Sequence, residues 1–149
     1  MKLEDLKKEM PFKWRVQSTT QYGASCVAYI DARDVQDKLD EVCGHLWQSR
    51  YSEHKGNLFC EIGIKIGDEW VWRSDCGTES NVEKEKGEAS DSFKRAAVMW
   101  GIGRFLYKKD IVKLDAMKNK HGKYQASYNG KLLYANQITK ACNYKIESK

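Results

Sequence analysis

Between Ser90 and Tyr107 the chain carries its most restrictive pattern: Phe93, Ala96, Ala97 and Trp100 recur at i, i+3, i+4 and i+7. That spacing puts the four apolar side chains on one stripe of an α-helix, and such a stripe has to be buried against another element. Lys94 and Arg95 fall outside it, so the same helix is expected to present two adjacent cations to something anionic. From Val98 onward the opposite side is apolar too, through Val98, Ile102, Phe105 and Leu106, which predicts cover on more than one side or a neighbouring subunit. Upstream, residues 82–88 space their charges for i,i+3 and i,i+4 pairing and read as a solvated first turn. Gly101 and Gly103 are expected to loosen or end the helix.

The segment ahead of this helix reads as strands. In Asn57–Ile66 the residues Leu58, Cys60, Ile62, Ile64 and Ile66 alternate with a mixed face, and Gly67-Asp68 is a hairpin turn leading into Glu69–Ser74. With His45–Tyr51 before them, these form a three-stranded antiparallel meander. Nearer the N-terminus, Leu3, Leu6 and Met10 suggest a short helix stopped near Pro11. Phe12–Gln17 alternates as a strand, placing Lys13 and Arg15 on the face opposite Trp14. Ser25–Ile30 reads as another strand, and Asp31 can cap a helix carrying Val35, Leu39, Val42 and Cys43 that ends at Gly44. Tyr124–Tyr134 reads as a hairpin around Asn129-Gly130. The fold class is therefore α+β: an antiparallel β-meander packed against a long helix, a β-β-β-α core with flanking short helices and strands.

The 149 residues, 41% of them hydrophobic, suit one domain with a real core, and a single proline without Ser/Gly-rich or Pro-rich tracts argues against an internal linker. The core is expected over about 12–114, with a basic C-terminal tail over 115–149. No apolar run approaches a membrane span, and the N-terminus is too charged for a secretory signal, which predicts an intracellular protein. Cys26, Cys43, Cys60, Cys76 and Cys142 include no Cys-x-x-Cys pair and read as buried reduced thiols. A zinc set of Cys60, Cys76, His45 and His54 matches no usual ligand spacing, so no metal is expected. A Gly-x-x-x-x-Gly-Lys-Ser/Thr loop is absent, so no cofactor or nucleotide is expected either. The acids Asp68, Glu69, Asp75 and Glu79 show no metal spacing, which disfavours a metal-dependent nuclease. The net charge of +5 favours an anionic partner only mildly.

The order of elements, with Tyr29-Ile30-Asp31-Ala32-Arg33-Asp34-Val35, Trp47 soon after Gly44, the meander, and then Glu88–Ala97 and Trp100-Gly101-Ile102-Gly103, resembles the Rad52/Rad22 family of single-strand annealing proteins. The likeness spans roughly Phe12 to Leu114, and its most specific part is Lys94-Arg95-Ala96. It implies subunits assembled in a ring, with single-stranded DNA in a basic groove and its bases accessible. It places Lys94 and Arg95 in that groove. Eukaryotic relatives carry a further Arg one turn beyond this pair, where Val98 stands here, and large C-terminal regions that are missing here. The compact phage-borne members are nearest in size, which implies a cytoplasmic protein of a bacterial or phage-infected cell. An exonuclease or a single-strand binding protein is the implied further partner.

The expected activity is ATP-independent binding and annealing of single-stranded DNA in recombination and double-strand break repair, without an enzymatic step. The alternative is a protein that protects single strands or DNA ends without annealing them. The DNA-contact candidates are Lys94 and Arg95 first, then Arg15, Lys13, Arg73, Lys84 and Lys86, for which a solvated surface role stays open. Arg104 falls on the stripe with Phe93 and Trp100, where a buried or intersubunit ion pair competes with DNA contact. Trp14, Trp47, Trp70, Trp72 and Trp100 read as packing rather than base stacking.

Overall fold

The computed structural model describes residues 1–77 and 84–148, with the backbone alone for 84–86. Along the chain run β1 (Lys13–Thr20), β2 (Gly23–Tyr29), α1 (Ala32–Cys43), β3 (Trp47–His54), β4 (Asn57–Ile66), β5 (Glu69–Cys76), α2 (Lys84–Met99), β6 (Val112–Lys118), β7 (Tyr124–Tyr128), β8 (Lys131–Leu132) and α3 (Ile138–Glu147). The class is α+β, as the patterns indicate. Its contacts divide into two units: Met1–Met10 with Ile30–Tyr107, and Pro11–Tyr29 with Lys108–Lys149.

In the first unit, β3, β4 and β5 form the antiparallel meander, with β4 in the middle. Ser49 and Arg73 flank Ile62, and Tyr51 and Asp75 flank Cys60, so these residues share the face turned toward α2. On that face Cys60, Ile62 and Ile64 are fully buried. The α2 stripe Phe93, Ala96, Ala97 and Trp100 closes on them, each at most 5% exposed. The two alanines let the helix lie close. Gly77 matters at the other end, because any side chain there would collide with the Glu88 carbonyl of α2. Glu88 in turn accepts a hydrogen bond from the Leu58 N–H at 2.9 Å, tying α2 to β4.

The short helix α1 starts on a capping box: Asp31 accepts from the Asp34 N–H and Asp34 from the Asp31 N–H, each at 2.9 Å. It buries Val35, Leu39 and Cys43 and ends at Gly44, whose φ of 58° only glycine adopts freely. One expected boundary shifts: the first helix is a 3-10 turn over Leu3–Lys7, held by the buried Leu6. The long helix α2 stops at Met99, just ahead of the two glycines expected to loosen or end it. Gly101 and Gly103, with φ of 100° and 86°, reverse the chain there, and a 3-10 turn follows over Arg104–Lys108.

In the second unit the strand order is β1-β2-β6-β7-β8, all antiparallel, with α3 packed on β1 and β6. Of the segment read from the sequence as a basic tail, residues 115–148 are folded. Apolar positions sit between the lysines at both periods: Val112 and Leu114 alternate on β6, while Ile138, Ala141 and Cys142 make an i, i+3, i+4 stripe on α3. They enclose one core with Trp14, Ala24, Cys26 and Ala126. The Trp14 N–H donates to Thr139 Oγ1 at 3.0 Å, and that hydroxyl donates back to the Trp14 carbonyl at 3.3 Å. The hairpin at Asn129-Gly130 is present, with φ of 51° and 77°.

Candidate nucleic-acid interface

Because the stripe from Phe93 to Trp100 is locked against the meander, α2 is a rigid support for what lies on its outer side. Lys94 is half-buried and Arg95 exposed. Successive helical residues point about 100° apart, so the two cations diverge rather than forming one cluster. Arg95 turns toward β5, where its Nε lies 3.8 Å from Asp75 Oδ2. An exposed pair at that distance contributes at most about 1 kcal/mol, so the guanidinium is available to a stronger partner.

Arg73 lies two residues before Asp75 on the same face of β5. Its Nη1 donates to the Met99 carbonyl at 2.8 Å, and its guanidinium stands 4.3 Å over the Trp100 ring. Arg104 is not buried in the stripe. It is exposed, and its Nε and Nη2 donate to the Val98 and Met99 carbonyls at 2.8 and 3.0 Å. It misses the stripe because the helix has already ended and the two glycines have turned the chain. Three candidates therefore gather along one flank of α2: Arg95, Arg73 and Arg104.

Lys13 and Arg15 belong to the second unit. Both are exposed on β1, opposite the buried Trp14, with the Arg15 guanidinium 5.9 Å from the Tyr29 ring. The side chains of Lys84 and Lys86 lie outside the described residues. Sequence reading passed over Arg50, which sits on the meander face away from α2, 3.8 Å over the Trp72 ring and 3.2 Å from Glu61. Its signal was the alternation of β3 against β4, which sets Arg50 opposite Glu61. Trp14 and Trp100 are buried, and Trp47 and Trp72 partly so. Trp70 is the more open one at 38% exposure.

The drawn zinc set is not assembled. Cys60 is buried toward α2, whereas His54 packs edge-on against Phe59 on the opposite face of the sheet. Among the described residues no group of three or more His, Cys, Asp or Glu is arranged to hold a metal ion. Nor does any described helix have the length and apolarity to cross a membrane. The five cysteines are free thiols, four of them buried. Burial pushes the Cys60 thiol from 9.0 up to about 11. The unfolded chain ionises this group near 9.0, so the stability it contributes is complete below pH 9 and lost as pH rises toward 11. Urea midpoints measured across that window should fall, and Cys60→Ala should flatten the fall; an equally steep fall in the variant would assign it elsewhere.

Residues 55–124 match the family model described as Rad52/22 family double-strand break repair protein. Over 118 residues, 72% of this chain, it is 36% identical to the single-stranded DNA-binding protein DdrA of Deinococcus deserti. It is 35% identical to the DdrA of Deinococcus radiodurans over the same length. The match spans 59% and 57% of those two relatives. No solved structure matches the chain. The match from 55 to 124 takes in β4, β5, α2 with its Lys94-Arg95-Ala96 element, and β6, so the chain carries a Rad52/22 family domain.

Proposed function

We propose that this chain binds single-stranded DNA through the cationic outer side of α2 and anneals complementary strands in DNA repair, without ATP and without a catalytic step. The observation that carries the reading is the Lys94-Arg95 pair on a helix whose opposite face is locked by Phe93, Ala96, Ala97 and Trp100. Rigid cations suit phosphate. They hold a strand by its backbone and leave its base edges free to be read by a second strand. Arginine adds a bidentate fork to phosphate oxygens and lysine a point charge. The relatives named as single-stranded DNA-binding proteins support the binding half of this reading.

In the same reading Arg73, Arg15, Lys13, Lys84 and Lys86 are further phosphate contacts. Copies of the chain assemble into a ring in the cytoplasm of a bacterial or phage-infected cell. An exonuclease or a single-strand binding protein delivers the strand. Pairing itself supplies the driving force, so no nucleotide is consumed.

The rate at which complementary labelled oligonucleotides pair, measured with and without the protein in EDTA and without nucleotide, tests the proposal. Acceleration is expected. Binding without acceleration would leave a protein that protects single strands or ends, and absence of binding would remove the reading altogether.

A further inference from the structure

The end of α2 holds more positive charge than a helix end needs. The last carbonyls of a helix carry roughly half an elementary charge and are satisfied by one cation or by the chain's own N–H groups. Here two guanidiniums converge on a single oxygen, since Arg73 Nη1 and Arg104 Nη2 both donate to the Met99 carbonyl. Arg104 also bonds the Val98 carbonyl. Both side chains are exposed, and among the described residues neither is paired with a carboxylate. Two like charges are thus held together with a net positive surplus, and each guanidinium keeps unused N–H donors.

The holding is rigid. Arg73 is stacked on Trp100, which is 5% exposed and fixed by its own N–H to the Ile62 carbonyl at 2.9 Å. Arg104 is delivered by the reversal at Gly101 and Gly103, where φ is 100° and 86°. Side chains fixed beforehand lose little freedom when a ligand arrives. Their location is as telling as their charge. Met99 lies just over one helical turn, about 6 Å of rise, beyond Arg95, and Arg95 faces the same strand, β5, that carries Arg73. The flank therefore offers two stations in a row.

We propose that Arg73 and Arg104 form a two-guanidinium clamp on the C-terminus of α2 that takes one phosphodiester of a single strand, next to the phosphodiester held at Arg95. This rests on the single-strand reading above and adds to it a second, preformed phosphate station. The two unesterified oxygens of a phosphodiester match two guanidinium forks. A carbonyl shared from below leaves the outer donors pointing at such a ligand.

The test uses the full chain with isotope-labelled arginine, titrated with a short oligothymidylate and separately with tripolyphosphate. The Nε–H resonances of Arg73 and Arg104 should move together with the oligonucleotide, and less with tripolyphosphate at equal phosphate. Arg73→Gln with Arg104→Gln should weaken oligonucleotide binding about tenfold and flatten the slope of log affinity against log salt by about 0.7 for the lost contact. Arg73→Lys with Arg104→Lys, which can still cap the carbonyls, should keep the slope and lose affinity. Oligonucleotide binding with unmoved resonances and an unchanged slope would overturn the clamp and leave a helix cap. An equal or larger response to tripolyphosphate would overturn the strand as its ligand. No oligonucleotide binding by the unaltered chain would instead be the failure of the single-strand reading itself.

Discussion

Lys94→Glu combined with Arg95→Glu is expected to lower affinity for single-stranded DNA by at least about a hundredfold while leaving the fold and the assembly state unchanged. Each hydrogen bond to a charged group is worth about 1.5–3 kcal/mol, so losing two removes about 3–6 kcal/mol before any repulsion is counted. The new carboxylates then repel the phosphates they replace, and the one introduced at position 95 would also face Asp75, where Arg95 now makes an ion pair of 3.8 Å. None of this reaches the core, because the substituted positions lie outside the stripe formed by Phe93, Ala96, Ala97 and Trp100. Fluorescence anisotropy with a labelled oligonucleotide reads the affinity, and sedimentation reads the assembly. Unchanged affinity in a folded double variant would remove the central claim. The two single variants should differ as well, since the residues diverge around the helix and only Arg95 shares a flank with Arg73 and Arg104.

The second large effect is on stability. Trp100→Ala should cost about 3–5 kcal/mol, the range for truncating a buried aromatic side chain. Three losses coincide at this residue. Its ring is 5% exposed within the helix–meander core, its N–H donates to the Ile62 carbonyl at 2.9 Å, and its outer face supports the Arg73 guanidinium at 4.3 Å. The melting temperature should drop by roughly 6–20 °C for a chain of this size. Trp100→Phe, which keeps a ring but frees the Ile62 carbonyl, should lose about 1–2 kcal/mol. A Trp100→Ala protein melting within a degree or two of the parent would mean that the stripe does not hold α2 on the sheet.

These two results bear on different links of one chain of cause. The stripe of α2 is a local pattern, and so is the alternation through Cys60, Ile62 and Ile64 that receives it. Both were legible because a helix and a strand impose fixed periods on which side chains share a face. The cap at Asp31 and the turn at Asn129-Gly130 were legible for a similar reason, since each depends on residues within four positions of one another. Lys94 and Arg95 as an outward pair followed from the same periodicity.

What escaped the sequence depends on residues far apart along the chain. Apart from the hairpin at Asn129-Gly130, the segment after Leu114 looked like a basic tail because its lysines dominate the local composition. Its apolar residues found a core only through β2 pairing with β6, Ala24 opposite Leu114 and Cys26 opposite Val112. No local period announces a partner at that separation. Arg104 was misplaced for a related reason, since extending the helix past Met99 carried it onto the buried stripe, whereas the left-handed turns at Gly101 and Gly103 bring it back over the helix end.

By itself, then, the sequence determined the β-β-β-α core, the buried stripe and the two outward cations, because each is set by side-chain period and cap chemistry within a few residues. Only the tertiary structure decided that Arg73 and Arg104 meet on one carbonyl, that Arg95 joins their flank, and that the basic C-terminal segment is folded. Those are meetings between residues separated along the chain, and their cost in chain entropy is offset only once the core that joins them has formed.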